Sequence, residues 1–181
     1  MSRLVILDRD GVINEDSPAF IKSLSEWIPL PGSLDAIARL KKAGFVVAVA
    51  TNQSGIARGL FDEDTLATMH ARLEQLLAER GCTLDMIVWC PHGPDNGCDC
   101  RKPQPGLYHR IASETGRPLE EAVVIGDSRR DIEAAERVGA RALLVLTGKG
   151  RDTLEGGGLP DDTLVFADLA SAADAVIAGT I

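Results

Sequence analysis

Apolar positions along the chain follow two rhythms. Short continuous runs rich in Val, Ile and Leu, as a strand covered on both faces requires, occur at "LVILD" (4–8), "VVAVATN" (46–52), "MIVWC" (86–90), "AVVIGD" (122–127), "ALLVLTG" (142–148) and "TLVFAD" (163–168). Between them, apolar residues recur at helical spacing. "GSLDAIARLKKAG" carries Leu34, Ile37, Ala38 and Leu40 on one stripe and stops at Gly44. "DEDTLATMHARLEQLLAERG" aligns Leu66, Met69, Leu73, Leu76 and Leu77, with Asp62 or Asp64 near its start and Gly81 past its end. "QPGLYHRIASETG" and "SRRDIEAAERVGA" read the same way over shorter spans. The alternation predicts an α/β fold, a doubly wound and mainly parallel sheet with helices on both faces. It shows no internal repeat, and "EGGGLPDD" (155–162) reads as a surface loop, so one domain over residues 1–181 is expected.

Composition narrows the function classes. A chain of 181 residues with 45% hydrophobic and 25% charged residues has the make-up of a globular domain able to bury a core. No apolar run approaches the ~18 residues of a membrane span. The run Leu4 to Leu7, stopped by Asp8, is too short for a secretory signal, so a cytoplasmic location is expected. A net charge of −8 argues against nucleic-acid and membrane partners, while leaving room for local basic sites. Four cysteines in a reducing compartment are unlike a disulfide framework.

Candidate chemistry gathers at strand ends. Asp8, Thr51, Cys90 and Asp127 each close a predicted strand, and open α/β sheets bind ligands beyond those ends. For any one of them the alternative is an acid that simply enters a loop; several together point to a site. In "DRDGV" (8–12), Asp8 and Asp10 can aim their carboxyls at one small volume, where like charges call for a neutralising cation. Oxygen ligands suit Mg²⁺, and Asp127 can bring a further carboxylate. "TNQSG" (51–55) offers neutral phosphate-binding donors and Lys102 a point charge. The set fits phosphoryl transfer, in which one carboxylate attacks, another moves protons and cations stabilise the charge.

In this order, "DRD", the strand-end Thr51, Lys102 and "GDSRRD", spread over residues 8–131, resemble the haloacid dehalogenase-like (HAD) phosphohydrolases. More narrowly, "LDRDGVIN", "TNQSGIARG", "CPH", "CDCRKPQPG" and "VVIGDSRRDI" resemble the phosphatases that remove the 7-phosphate of D-glycero-D-manno-heptose 1,7-bisphosphate during ADP- or GDP-heptose synthesis for cell-surface glycans. The resemblance implies a HAD-like Rossmannoid fold without an inserted cap domain, roofed by a flap at about residues 12–28 and the cysteine loop 90–100. It implies Asp8 as nucleophile, forming an aspartyl-phosphate, and Asp10 as acid and then base. Mg²⁺ would rest on Asp8, the Asp10 main-chain carbonyl and Asp127. Thr51 and Lys102 would bind the transferring phosphoryl group. Asp16, Ser17, Asn52, Gln53, Ser54 and Arg101 would contact a small sugar bisphosphate. "PAF" (18–20) departs from relatives that carry a tyrosine there. A monomer is expected. Histidinol-phosphate phosphatase is the rival activity, and a non-enzymatic zinc-binding interaction module the rival class.

Cys90, His92, Cys98 and Cys100 form a C-x-H-x₅-C-x-C pattern, one imidazole and three thiols, which is a ligand set of closed structural zinc. Free thiols or a disulfide are the alternatives, and Cys82 lies apart. Such a loop would also fix Arg101 and Lys102, which follow Cys100 directly. His70 is expected to be partly exposed, and both His70 and His109 read as structural. "TGKGRDT" (147–153) lacks the P-loop pattern, "RR" (129–130) reads as a solvated pair, and Asp131 as a partner behind the metal site.

Overall fold

The computed structural model describes residues 3–181. Six strands form one all-parallel sheet: β1 (Leu4–Leu7), β2 (Val46–Asn52), β3 (Met86–Cys90), β4 (Val123–Gly126), β5 (Arg141–Val145) and β6 (Leu164–Phe166). Their order is β3-β2-β1-β4-β5-β6. Strand residues alternate between two cores. Val5, Leu7, Val47, Val49, Val123 and Ile125 point to the face covered by α1 (Ser33–Lys42), α2 (Glu63–Ala78) and α6 (Leu169–Ala178). Leu4, Ile6, Ala48, Ala50 and Val124 point to the face covered by α3 (Gly106–Thr115) and α4 (Arg129–Arg137). Both faces are buried, which is why the strands read as unbroken apolar runs.

Local signals set the helix ends. Asp62 accepts from the Thr65 amide at 2.8 Å to open α2, whose stripe Leu66, Met69, Leu73 and Leu77 is buried. Asp168 does the same for α6 through Ser171, which closes with Gly179 in the left-handed region. Neither α6 nor the short α5 (Gly150–Glu155) belongs to the expected helices. The strands are also shorter than their apolar runs. β1 stops at Leu7, and β5 at Val145 instead of Gly148, because the residues beyond turn into the site.

The order of strands reverses between β1 and β4, both of which run inward from the same end of the sheet. Leu7 pairs with Ile125, and the Asp8 amide donates to the Ile125 carbonyl at 3.0 Å. Asp8 and Asp127 therefore leave adjacent strands side by side, at the crevice where this topology binds ligands. The flap is tied to that end by the Asp10–Asn14 and Asn14–Pro29 bridges and by the buried Ile21 and Trp27. No folded cap unit is inserted among the described residues.

Candidate active site

A cleft of about 260 Å³ opens over the carboxyl ends of the strands. Its floor is ionic. Lys102, 3% exposed, reaches from the loop after β3 and donates to the Ala50 carbonyl at 2.7 Å, while pairing with Asp131 at 2.6 Å and Asp8 at 3.0 Å. Burial opposes its charge, but Asp131 and Asp8 outweigh that and hold its pKa above the usual lysine value. Asp131 is fully buried. Its other oxygen accepts from the Ser128 hydroxyl at 2.7 Å and the Ser128 amide at 3.1 Å, so it anchors Lys102 and opens α4 at once.

Asp8, Asp127 and Asp131 bring carboxylate oxygens within 4.8 Å of one another. With both Asp131 oxygens engaged, Asp8 and Asp127 are the pair left to face a cation. Burial raises the pKa of each: Asp8 is pushed up to about 6, with Asp131 and Asp10 adding to the rise and Lys102 working the other way, and Asp127 to about 8, with Asp8 and Asp131 adding and Lys149 opposing. Asp127 is held by the Lys149 amide at 2.8 Å. It lies against Gly11 and Gly148, both at positive φ, and a Cβ on either glycine would overlap its carboxylate. The glycines make the recess that the acid occupies.

Asp10 borders the same cleft as Asp8, and its carboxyl is held by neighbours within the chain. Oδ1 accepts from Arg9 Nε at 2.9 Å, Arg9 Nη2 at 2.7 Å and Asn14 Nδ2 at 2.9 Å, and Oδ2 accepts from Gln53 Nε2 at 3.0 Å. Burial opposes the charge, but Arg9 and these hydrogen bonds prevail and hold the pKa below the usual carboxylate value. Two expected substrate contacts are likewise already committed within the chain. Asn52 exchanges hydrogen bonds with the Lys102 main chain at 3.0 and 3.1 Å, and Gln53 spans Asp10 and the Thr51 hydroxyl, 2.9 Å away. Both still border the cleft, as do Thr51, Ser54, Asp16, Ser17 and Arg101.

Cations that the sequence reading passed over complete the rim. Arg58, Arg130 and Lys149 line the cleft with Arg101. Lys149 Nζ pairs with Asp16 at 2.8 Å, joining the flap to the turn after β5, and Arg58 stands 5.4 Å from the Phe20 ring. Burial and the neighbouring Arg130 press the Arg101 pKa below its usual value, the signature of a place that favours an anion. Arg130 is part of this rim and not of a merely solvated pair. Lys149 was legible in principle: "TGKG" follows a strand, and the ends of β1 to β4 supply site residues. Arg9, fully buried between two acids, carried no such signal.

Beside the cleft, Cys90, His92, Cys98 and Cys100 converge, with a ligand atom of each within 4.8 Å of the others. Neighbouring contacts are Cys90–Cys100 at 3.1 Å, His92 Nδ1–Cys100 at 3.3 Å, Cys90–His92 Nδ1 at 3.5 Å and Cys90–Cys98 at 3.6 Å. No two sulfurs are bonded and all four cysteines are free, which removes the disulfide alternative. Burial works against the Cys98 thiolate, but the Arg101 amide and its cysteine neighbours lower its pKa to about 7. Arg101 Nη1 donates to the His92 carbonyl at 3.3 Å, tying the loop to the rim. His70, expected to be partly exposed, is buried at 8%.

Known proteins resemble this chain in sequence and fold. The HAD-hydrolase-like family model matches residues 99–172. A D-glycero-beta-D-manno-heptose-1,7-bisphosphate 7-phosphatase of Pseudomonas putida is 59% identical, covering 97% of this chain and 99% of its own. The enzyme of that name from Pseudomonas aeruginosa is 57% identical over 98% and 99%. A crystal structure of the D,D-heptose 1,7-bisphosphate phosphatase of Bordetella bronchiseptica, complexed with magnesium and phosphate, superposes with a TM-score of 0.95 at 53% identity, covering 98% of this chain and 99% of that one. Identity of this extent over whole chains, on a fold whose strand ends carry the same acids, lysine and cysteine loop that the motifs marked, places the chain in the HAD-like family of D-glycero-D-manno-heptose-1,7-bisphosphate 7-phosphatases.

Proposed function

We propose that the protein removes the 7-phosphate of D-glycero-β-D-manno-heptose 1,7-bisphosphate through a phospho-enzyme on Asp8. The observation that carries this reading is a cleft with two separate cationic regions. Lys102 lies on a buried floor beside Asp8, and Arg58, Arg101, Arg130 and Lys149 stand at the rim. A monophosphate would engage the floor and leave the rim without its anion. A bisphosphate satisfies both, and the rim cations attract it despite the net charge of −8. The β anomer follows the names of the relatives, which also disfavour the histidinol-phosphate reading.

Chemistry follows from the contacts. An Asp8 oxygen attacks phosphorus as the bond to the sugar oxygen breaks. Asp10 Oδ2, the oxygen with a single donor, relays to that leaving oxygen the proton that the phosphate monoester brings as its monoanion. Asp10 then takes a proton from water, whose oxygen attacks the aspartyl-phosphate and frees Asp8. Thr51 and Lys102 hold the transferring oxygens, with Lys102 kept charged by Asp131. Asp16, Ser17, Ser54 and Arg101 contact the rest of the substrate, with Arg58, Arg130 and Lys149 added; Asn52 and Gln53 brace Lys102 and Asp10. The paired acids fit Mg²⁺, which Asp8, Asp127 and the Asp10 main-chain carbonyl would hold. When bound, the ion supplies positive charge to the phosphoryl oxygens.

The cysteine loop fits Zn²⁺. Three thiols and one imidazole are a ligand set of structural zinc, and their ligand atoms converge within 4.8 Å of one another. One imidazole and three thiols leave no open position, so the ion would have a structural task, to hold the start of Arg101–Lys102. We place the enzyme in the cytoplasm as a monomer of one domain, without nucleic-acid or membrane partners. In support, its thiols are free and no helix of the described residues is long and apolar enough to cross a membrane. The test is phosphate release from both heptose bisphosphate anomers beside histidinol phosphate, with the product identified by phosphorus NMR. Heptose 1-phosphate should form, fastest from the β anomer. Loss of the 1-phosphate, or a preference for histidinol phosphate, would overturn the assignment.

A further inference from the structure

Arg9 is a charged side chain with no exposed surface, lying between the two acids of the reaction. All of its nitrogens are in use. Nε and Nη2 donate to Asp10 Oδ1, and Nη1 donates to His70 Nε2 at 3.4 Å. A guanidinium can only donate, so His70 must present the Nε2 lone pair and carry its proton on Nδ1. Burial and the Arg9 charge hold the His70 pKa down at about 4, which keeps that lone pair available. His70 is itself set by α2 and by Trp89 of β3, whose ring meets it edge-on at 5.6 Å.

We propose that His70 is a positioning residue for the phosphatase reaction: by anchoring Arg9 Nη1 it keeps the guanidinium locked on Asp10 Oδ1, so that Oδ2 alone is free to carry the catalytic proton. The argument is one of occupancy. Oδ1 takes three donors and has no room for a proton, whereas Oδ2 takes only Gln53 and faces the cleft. Without an acceptor at position 70, Nη1 becomes a buried donor with no partner. The guanidinium gains from turning away toward water or another acceptor. Asp10 then loses two of its three Oδ1 donors and the direction they impose. The effect reaches the substrate only through proton transfer, because His70 does not border the cleft.

The inference rests on the acid–base part assigned to Asp10 above, and substrates with different leaving groups separate the two. A sugar alkoxide needs the proton as it departs, whereas p-nitrophenolate needs little help. For His70→Leu, kcat/KM on the heptose bisphosphate, which reports only the steps up to phospho-enzyme formation, should fall by on the order of 10-fold, a fraction of the ~10²–10⁴ that acid–base assistance supplies. With p-nitrophenyl phosphate kcat/KM should change less than about 2-fold, since departure of that leaving group does not depend on the proton. His70→Gln, whose amide oxygen can accept from Nη1, should restore the sugar rate; His70→Asn, which is too short to reach, should not. The ratio of the two kcat/KM values cancels the fraction of enzyme that is folded, so poor folding of the leucine variant does not obscure the result. Equal losses on both substrates, no loss on either, or equal behaviour of the Gln and Asn variants would overturn the proposal. A wild-type enzyme inactive on the bisphosphate would instead refute the proposed function itself.

Discussion

Adding one carbon at Gly148 should disable the acid proposed to hold Mg²⁺ without replacing any charged group. Gly148 has φ +54, and a Cβ built there would overlap Asp127 Oδ2 and stand 2.5 Å from Gly11 Cα. Two costs add in Gly148→Ala. The left-handed backbone costs an alanine ~1 kcal/mol, and relief of the overlap costs ~1–3 kcal/mol as the Asp127 carboxylate and the 147–149 turn move apart. That movement stretches the 2.8 Å hydrogen bond from the Lys149 amide. A displacement of ~1 Å at a reacting centre is worth on the order of 10² in rate. Gly157→Ala is the control, because Gly157 has φ +65 and nothing within 4 Å of its added Cβ. It should lose only the backbone part, ~1 kcal/mol, or ~2–4 °C in Tm. The assay is kcat/KM titrated with Mg²⁺ for both variants, beside thermal unfolding. Gly148→Ala should need far more Mg²⁺ and lose about 10²-fold in kcat/KM, with Gly157→Ala unchanged. If Gly148→Ala kept a wild-type Mg²⁺ response, Asp127 would not be the acid that this recess positions.

Asp8→Asn should abolish turnover with the fold retained, since an amide is a poor nucleophile, and phosphate-release assays would detect any survivor. Asp10→Asn should slow formation and hydrolysis of the phospho-enzyme together, by ~10²–10⁴-fold, as rapid-quench kinetics can resolve. Mg²⁺ binding should expel a proton near neutral pH. The cation-free Asp127 pKa of about 8 leaves it protonated at pH 7, so affinity should rise with pH between about 6, where Asp8 titrates, and 8. Calorimetry in two buffers of different ionisation heat would show this, and identical heats would contradict it. Cys98→Ser should release zinc by elemental analysis, loosen Arg101 and Lys102, and lower kcat/KM in a way that added Mg²⁺ does not rescue. A zinc-free variant with wild-type kinetics and Tm would separate the loop from catalysis.

Much of the architecture is written locally. Unbroken apolar runs mark the strands because the inner ones are buried on two faces, with the edge strand β6 the exception, and the stripes of α1 to α4 stand out because large aliphatics alternate there with charge. α6 was passed over because "LASAADAVIA" is built largely of alanine, which leaves a faint stripe; its capping pair Asp168–Ser171 and Gly179 were the usable signal. α5 is one and a half turns long and follows a glycine-rich turn, too short for periodicity to register. Asp8, Asp127, Lys102 and the cysteine loop were legible because motifs and strand ends are properties of neighbouring residues.

Partnership between distant residues was not legible. Residue order put Asp8 and Asp127 at strand ends, but only the pairing of β1 with β4 set them side by side. "DRD" placed two acids close along the chain, and packing gave Asp10 a partner that the motif does not reveal, the side chain of the buried Arg9. "TNQ" marked a phosphate-binding stretch, and contacts with Lys102, 50 residues on, and with Asp10, 43 residues back, took Asn52 and Gln53 for bracing. His70 lay on an apolar stripe that any core histidine could share, and became a partner of Arg9 through a contact spanning 61 residues. Periodicity and capping are short-range, because they depend on the backbone and a few adjacent side chains. The state of a buried charge depends on which group lies about 3 Å away, and that is decided only when the whole sheet has closed its order.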